Sequence, residues 1–162
     1  SRIAKLKDGE FDAIILAMAG INRLDLSKEV KYVSVLNTIA AMGQGALGIE
    51  AVDRADILEA IEFLNDEKSV IETTIERAFV HRLNGGCQAP IGVSARLDGD
   101  KISVKAILGT PDGKEILKDE RVFNKAEYKE AGEILADEFI NQGAKELLAK
   151  AEQIASQIWA IK

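Results

Sequence analysis

The chain has 162 residues, 30% of them charged and 47% apolar, with a formal net charge of -6. Such a balance belongs to a folded globular protein and excludes a disordered or fibrous one. The acidic total argues against a general nucleic-acid or membrane-surface binder, which needs a positive field. No nucleic-acid or membrane partner is expected.

A single cysteine, Cys87, rules out an internal disulfide. The longest apolar run, Ala13 to Ala19, is too short to span a bilayer. With no signal-peptide pattern at the N-terminus, a cytoplasmic protein is expected.

In chain order, Arg2 to Lys7 reads as the tail of a helix, closed by the turn Lys7-Asp8-Gly9-Glu10. Phe11 to Ala17, apolar but for Asp12, reads as a buried strand, followed by a turn at Ala19-Gly20. A helix tail entering a buried strand looks like the middle of an α/β unit, so truncation is expected. Ile21 to Leu36 reads as a short helix plus connection. Ala46 to Ala51 is a candidate short strand after the Gly43-Gln44-Gly45 turn.

Ile57, Leu58, Ile61 and Leu64 recur at helical spacing behind Asp53, a candidate N-cap. Asn65 is placed to cap the next helix, whose face carries Ile71, Ile75, Ala78, Phe79 and Leu83. Asn84-Gly85 supplies left-handed residues to end it. After Pro90 the period changes to two. Ile91 to Leu97, Ile102 to Leu108 and Glu115 to Phe123, joined at Asp98-Gly99-Asp100 and Pro111-Asp112-Gly113, predict a three-stranded antiparallel meander. Two helices follow, with stripes Ala131, Ile134, Leu135, Glu138, Phe139 and Leu147, Leu148, Ala151, Ile154, Ile158. The expected fold is an α/β fragment followed by an α+β domain with helices packed on a three-stranded sheet.

Cys87 lies in Asn84-Gly85-Gly86-Cys87-Gln88-Ala89-Pro90-Ile91-Gly92, just past a helix end. Gly85 and Gly86 let a large group approach the backbone, and Pro90 stiffens the exit. A reactive thiol and a buried structural one both remain open on this chemistry. A cysteine-protease reading needs a base beside the thiol. The only histidine, His81, sits six residues earlier and reads as a solvated helix residue. One Cys and one His cannot close a zinc site, and no metal is expected. Gly43-Gln44-Gly45 lacks the spacing of a phosphate loop and reads as a turn whose backbone N–H groups can meet a carboxylate. Arg23, just beyond the apolar run, is placed to meet an anion, as an arginine fork pairs bidentately with carboxylates.

Together these segments resemble the hydroxymethylbilane synthase (porphobilinogen deaminase) family. The resemblance rests on Arg2 to Gly9 with Phe11 to Leu24, and on Gly43 to Glu50. It also rests on Glu76-Arg77-Ala78-Phe79 with Leu83 to Gly92, and on Leu108 to Gly113. It implies an enzyme that joins four porphobilinogen molecules with release of ammonia. The growing polypyrrole extends from a dipyrromethane cofactor held by a thioether on Cys87. It further implies that Arg2 and Arg23 bind substrate and cofactor carboxylates, and that Gly45 and Ala46 line the same cleft. The family's first two domains are similar to periplasmic binding proteins in fold, and its members are typically monomeric.

The family's catalytic aspartate lies upstream of anything in this chain, so no catalytic residue is expected here and the chain alone is expected to be inactive. The implied partner is the missing N-terminal half. The implied division is 1-44 as the end of domain 2 with the interdomain connection, 45-64 returning to domain 1, and 65-162 as the cysteine-bearing domain 3. Ala40-Ala41 stands where the family often has Pro-Ala, and Asn84 where it often has Glu. Two other readings stay open: an anion-binding α/β module, and an interaction domain with a non-functional cysteine.

Overall fold

The computed structural model describes residues 2–85 and 89–160. The chain divides into two compact units, one ending at Asn37 and one beginning at Thr38.

The first unit holds two short helices, α1 (Arg2–Lys7) and α2 (Met18–Arg23), and a 3-10 turn at Ser27–Glu29. Ile3 and Ile21 are buried. Ion pairs Lys5–Glu10 (2.9 Å) and Lys7–Glu29 (2.7 Å) join exposed side chains. The expected strand at Phe11 to Ala17 is not formed. No strand pairs with it among the described residues, and Phe11 (49%) and Ile15 (73%) are exposed. A β-strand is stable only through a neighbour's ladder, and seven residues cannot supply one to themselves. The predicted turn at Ala19-Gly20 falls inside α2. Gly20 N–H donates to Ala17 O (3.0 Å), so the backbone turns on into a helix.

The second unit begins with an extended segment from which Ala46 to Ala51 forms no strand. Helix α3 (Ala55–Ile61) continues into a 3-10 turn at Glu62–Leu64. Its N-cap is Arg54, one residue beyond the expected Asp53, and Arg54 pairs with Asp56 in the first turn. Leu58 and Leu64 of the predicted stripe are exposed.

Helix α4 (Glu67–Arg82) is capped by Asp66, whose carboxylate accepts from Ser69 N–H (2.7 Å). Asn65, the predicted cap, lies one residue too early for that reach. The apolar face appears as expected, with Ile71, Ile75, Phe79 and Leu83 buried and Val80 added. The helix closes in a Schellman arrangement. Asn84 N–H donates to His81 O (2.9 Å), Gly85 N–H donates to Val80 O (3.0 Å), and Asn84 sits at φ 56°.

Strands β1 (Ile91–Asp98), β2 (Lys101–Gly109) and β3 (Ile116–Asn124) form the antiparallel meander in the order β1-β2-β3. Register pairs Val93 with Ala106 and Ala95 with Val104, then Ile102 with Phe123. That places the alternate apolar residues on one face. The β1–β2 loop is two residues long, with Gly99 at φ 56°, where a side chain is disfavoured. On β3 the core-side positions include Asp119 and Arg121, and Arg121 pairs with Glu138 of the following helix.

Helices α5 (Tyr128–Asn141) and α6 (Ala144–Ala160) pack over the sheet. The core joins Ile75, Phe79, Val93, Val104, Leu135 and Phe139, all fully buried. Phe79 and Phe139 meet edge to face with centroids 5.2 Å apart. In the predicted stripes Ala131, Leu135, Leu148 and Ala151 are buried, whereas Ile134 is exposed. The stripe residue Ile158 lies outside the residues whose side chains are described.

Gly132 fixes how near α4 and α5 approach. A Cβ there would stand 2.3 Å from Ile75 O and 2.8 Å from Ala78 Cβ. Gly132→Ala is therefore expected to push the helices apart and destabilise the fold by about 1–3 kcal/mol, read from denaturant midpoints.

The β2–β3 turn is built around Asp112. Its carboxylate accepts from Thr110 Oγ1 (2.6 Å) and Lys114 N–H (3.2 Å), which holds its pKa down to about 2 from an ordinary 3.8. A depressed carboxylate stabilises the folded turn above its unfolded pKa, and that contribution is lost as pH falls through the folded value. A carboxyl-carbon NMR titration should place the Asp112 midpoint near 2, and Thr110→Val should raise it.

Candidate functional site

Cys87, with Gly86 and Gln88, lies outside the described residues. On the N-terminal side α4 ends at the left-handed Asn84, a conformation Asn tolerates far better than Glu. Gly85 then lies against Ile91 and Val80. A Cβ on it would meet Ile91 Cδ1 at 2.5 Å and Val80 Cγ1 at 3.4 Å. On the C-terminal side, Pro90 O accepts from Gly109 N–H (3.3 Å), so the chain re-enters the sheet at once. Both stems of the cysteine loop are thus pinned to the same core.

Beside Gly85 is an open cavity of about 420 Å³, lined by Met42, Arg77, Ala78, Val80 and His81. Arg77 and His81 are exposed and stand one turn apart on α4. Among its lining residues Arg77 offers a guanidinium able to meet an anion.

Arg2 and Arg23 belong to the first unit and are both exposed. The Arg2 guanidinium donates to Ile15 O (3.5 Å), and neither arginine forms an ion pair among the described residues. Gly45 and Ala46 belong to the second unit, in a turn where Gly43 is at φ 70°. Ala46 N–H closes that turn on Gly43 O (3.2 Å). Of the two predicted donors, Ala46 is therefore already used within the turn. Both residues line a wide groove of about 880 Å³ whose charged lining residues, Glu59, Glu62 and Asp66, are all acidic.

Sequence reasoning missed one residue of consequence. Glu76 of α4 is buried at 9% exposure, and its two oxygens accept from different segments. Oε2 takes Gly43 N–H (2.7 Å) and Oε1 takes Ala95 N–H on β1 (3.0 Å). A charged residue on an otherwise apolar helix face was the available signal.

Residues 1–60 match the family model described as porphobilinogen deaminase, dipyromethane cofactor binding domain. Residues 70–141 match that described as porphobilinogen deaminase, C-terminal domain. The porphobilinogen deaminase of Campylobacter fetus subsp. fetus (strain 82-40) is 72% identical over 154 residues, 95% of this chain and 51% of the relative. That of Campylobacter hominis is 57% identical over 158 residues, 96% of this chain and 51% of the relative. That of Campylobacter jejuni subsp. doylei is 59% identical over 157 residues, covering 95% and 51%. The chain spans about half the length of the curated relatives it matches.

Proposed function

Because the chain belongs to the porphobilinogen deaminase family, we propose that it forms the cofactor-anchoring part of an enzyme that builds hydroxymethylbilane from four porphobilinogen molecules. Cys87 is the anchor, bonded through sulfur to a dipyrromethane. The observation that carries this reading is the division of the two family matches. One is named for the dipyrromethane cofactor and covers Arg2, Arg23, Gly45 and Ala46; the other covers the cysteine loop.

When bound, the dipyrromethane supplies the terminal pyrrole carbon on which the polypyrrole is extended. The chain's own residues hold and orient. Arg2 and Arg23, free of ion pairs among the described residues, each offer a guanidinium fork to acetate and propionate groups. The chain on either side of the anchor, at Gly85 and Pro90, is held against the core.

The thiol is consumed once, in making the thioether, so no base beside it is required. His81, exposed on α4, need take no part in proton transfer. The carboxylate that stabilises the cation left by loss of ammonia comes from N-terminal residues of the same protein. In this reading residues 1–44 complete a periplasmic-binding-protein-like domain, 45–64 return to the preceding domain, and 65–162 form the cysteine-bearing domain of a cytoplasmic monomer. The exposed Phe11, Ile15, Leu47 and Ile49 are then covered by the N-terminal residues.

The test is the intact mass of the full-length protein. An adduct of dipyrromethane mass on Cys87, absent from Cys87→Ser together with activity, is expected. A full-length enzyme that makes its product with an unmodified Cys87 would overturn the proposal. In the loaded enzyme, Arg23→Leu should raise KM for porphobilinogen about tenfold or more, the loss of a charge-assisted contact.

A further inference from the structure

The buried Glu76 carboxylate sits at a junction of three segments. Its helix, α4, leads through Asn84 and Gly85 into the loop of Cys87. Oε1 accepts from Ala95 in the edge strand β1, and Oε2 accepts from Gly43. Gly43 O in turn accepts from Ala46 N–H (3.2 Å), which closes the turn containing Gly45. Two further features clamp the same seam. Val93 N–H donates to Ala40 O (2.9 Å), and a Cβ on Gly92 would stand 2.7 Å from Ile39 O. Residues 39 and 40 therefore lie close against the β1 edge, and Gly43 is bonded to α4 through Glu76. Among the described residues Glu76 is the one buried carboxylate.

We propose that Glu76 is a positioning residue that sets the Gly43-Gln44-Gly45-Ala46 turn relative to the end of α4 and the β1 edge, from which Gly85 and Pro90 lead toward the cysteine. This rests on the function proposed above. Glu76 itself touches neither cofactor nor substrate. A carboxylate suits the task because it accepts on both oxygens at once, whereas an amide of the same shape can accept on only one. Glu72, one turn earlier on α4, takes Leu97 N–H (2.8 Å) on the same edge but does not reach the turn. It is a matched control.

The experiment uses the full-length protein with Glu76→Gln and Glu72→Gln, reading intact mass, amide hydrogen exchange, and KM and kcat for porphobilinogen. Glu76→Gln, left with one accepting oxygen, should speed exchange at Gly43 or at Ala95 about tenfold. It should also lower the fraction carrying the Cys87 adduct, or raise KM with kcat little changed. Glu72→Gln, whose amide oxygen can keep the single bond to Leu97 N–H, should leave exchange at Gly43, loading and KM as in the parent. If exchange at either residue quickens in Glu76→Gln while loading and KM stay at parental values, the positioning role is overturned. Should Glu76→Gln not fold, Glu76→Asp, which keeps the charge but shortens its reach, is read in the same way. An unmodified Cys87 in the active parent protein would overturn the proposed function, a result distinct from either variant's.

Discussion

The cysteine-bearing fold depends on how the free edge of β1 is satisfied. An edge strand turns every second N–H outward, and an unpaired buried donor costs about 1–3 kcal/mol. Here Val93, Ala95 and Leu97 turn theirs toward Ala40 O, Glu76 and Glu72 respectively. Two of the three acceptors belong to one helix, so α4 is tied to the sheet by directional bonds as well as by apolar contact. The third draws the connection at residues 39–40 into the same arrangement. One row of donors thus joins helix, sheet and connection, and both stems of the cysteine loop grow from that junction.

Packing then determines how rigidly the junction is held. Gly132 lets α5 approach α4 closely enough for Phe139 to meet Phe79, and both rings belong to the one buried core. A close-packed interior of this kind allows little adjustment, so a shift of α4 would be felt at Gly85, where a Cβ would have to displace Ile91 Cδ1. The first unit has no comparable interior. Its two buried apolar side chains, Ile3 and Ile21, contrast with the broad core formed after residue 70.

The parts of the fold legible in the sequence were those whose partners lie nearby in the chain. The meander was readable because alternation and turn residues are local signals, and each hairpin pairs neighbours. Helices α4, α5 and α6 were readable from apolar spacing. Phe11 to Ala17 was misread because an apolar run records a tendency to be buried, while strand formation needs a ladder partner that composition does not reveal. The caps of α3 and α4 were each displaced by one residue, since Asp53 and Asn65 have suitable side chains but Arg54 and Asp66 occupy the required backbone positions. Cys87, Arg23 and Gly45 are singled out by residue chemistry and resemblance alone. Glu76 is not, because its role comes from two backbone donors 19 and 33 residues away.

The opposite margin of the sheet is guarded differently. There β3 turns Asp119 and Arg121 toward the side where β1 and β2 bury small and branched apolar residues, and Arg121 is engaged by Glu138. An incoming strand from another molecule would have to strip hydration from those charges before it could dock. With one margin occupied by the molecule's own carboxylates and the other defended by ionic groups, the sheet is self-limiting. Lateral growth into larger assemblies is discouraged from both sides.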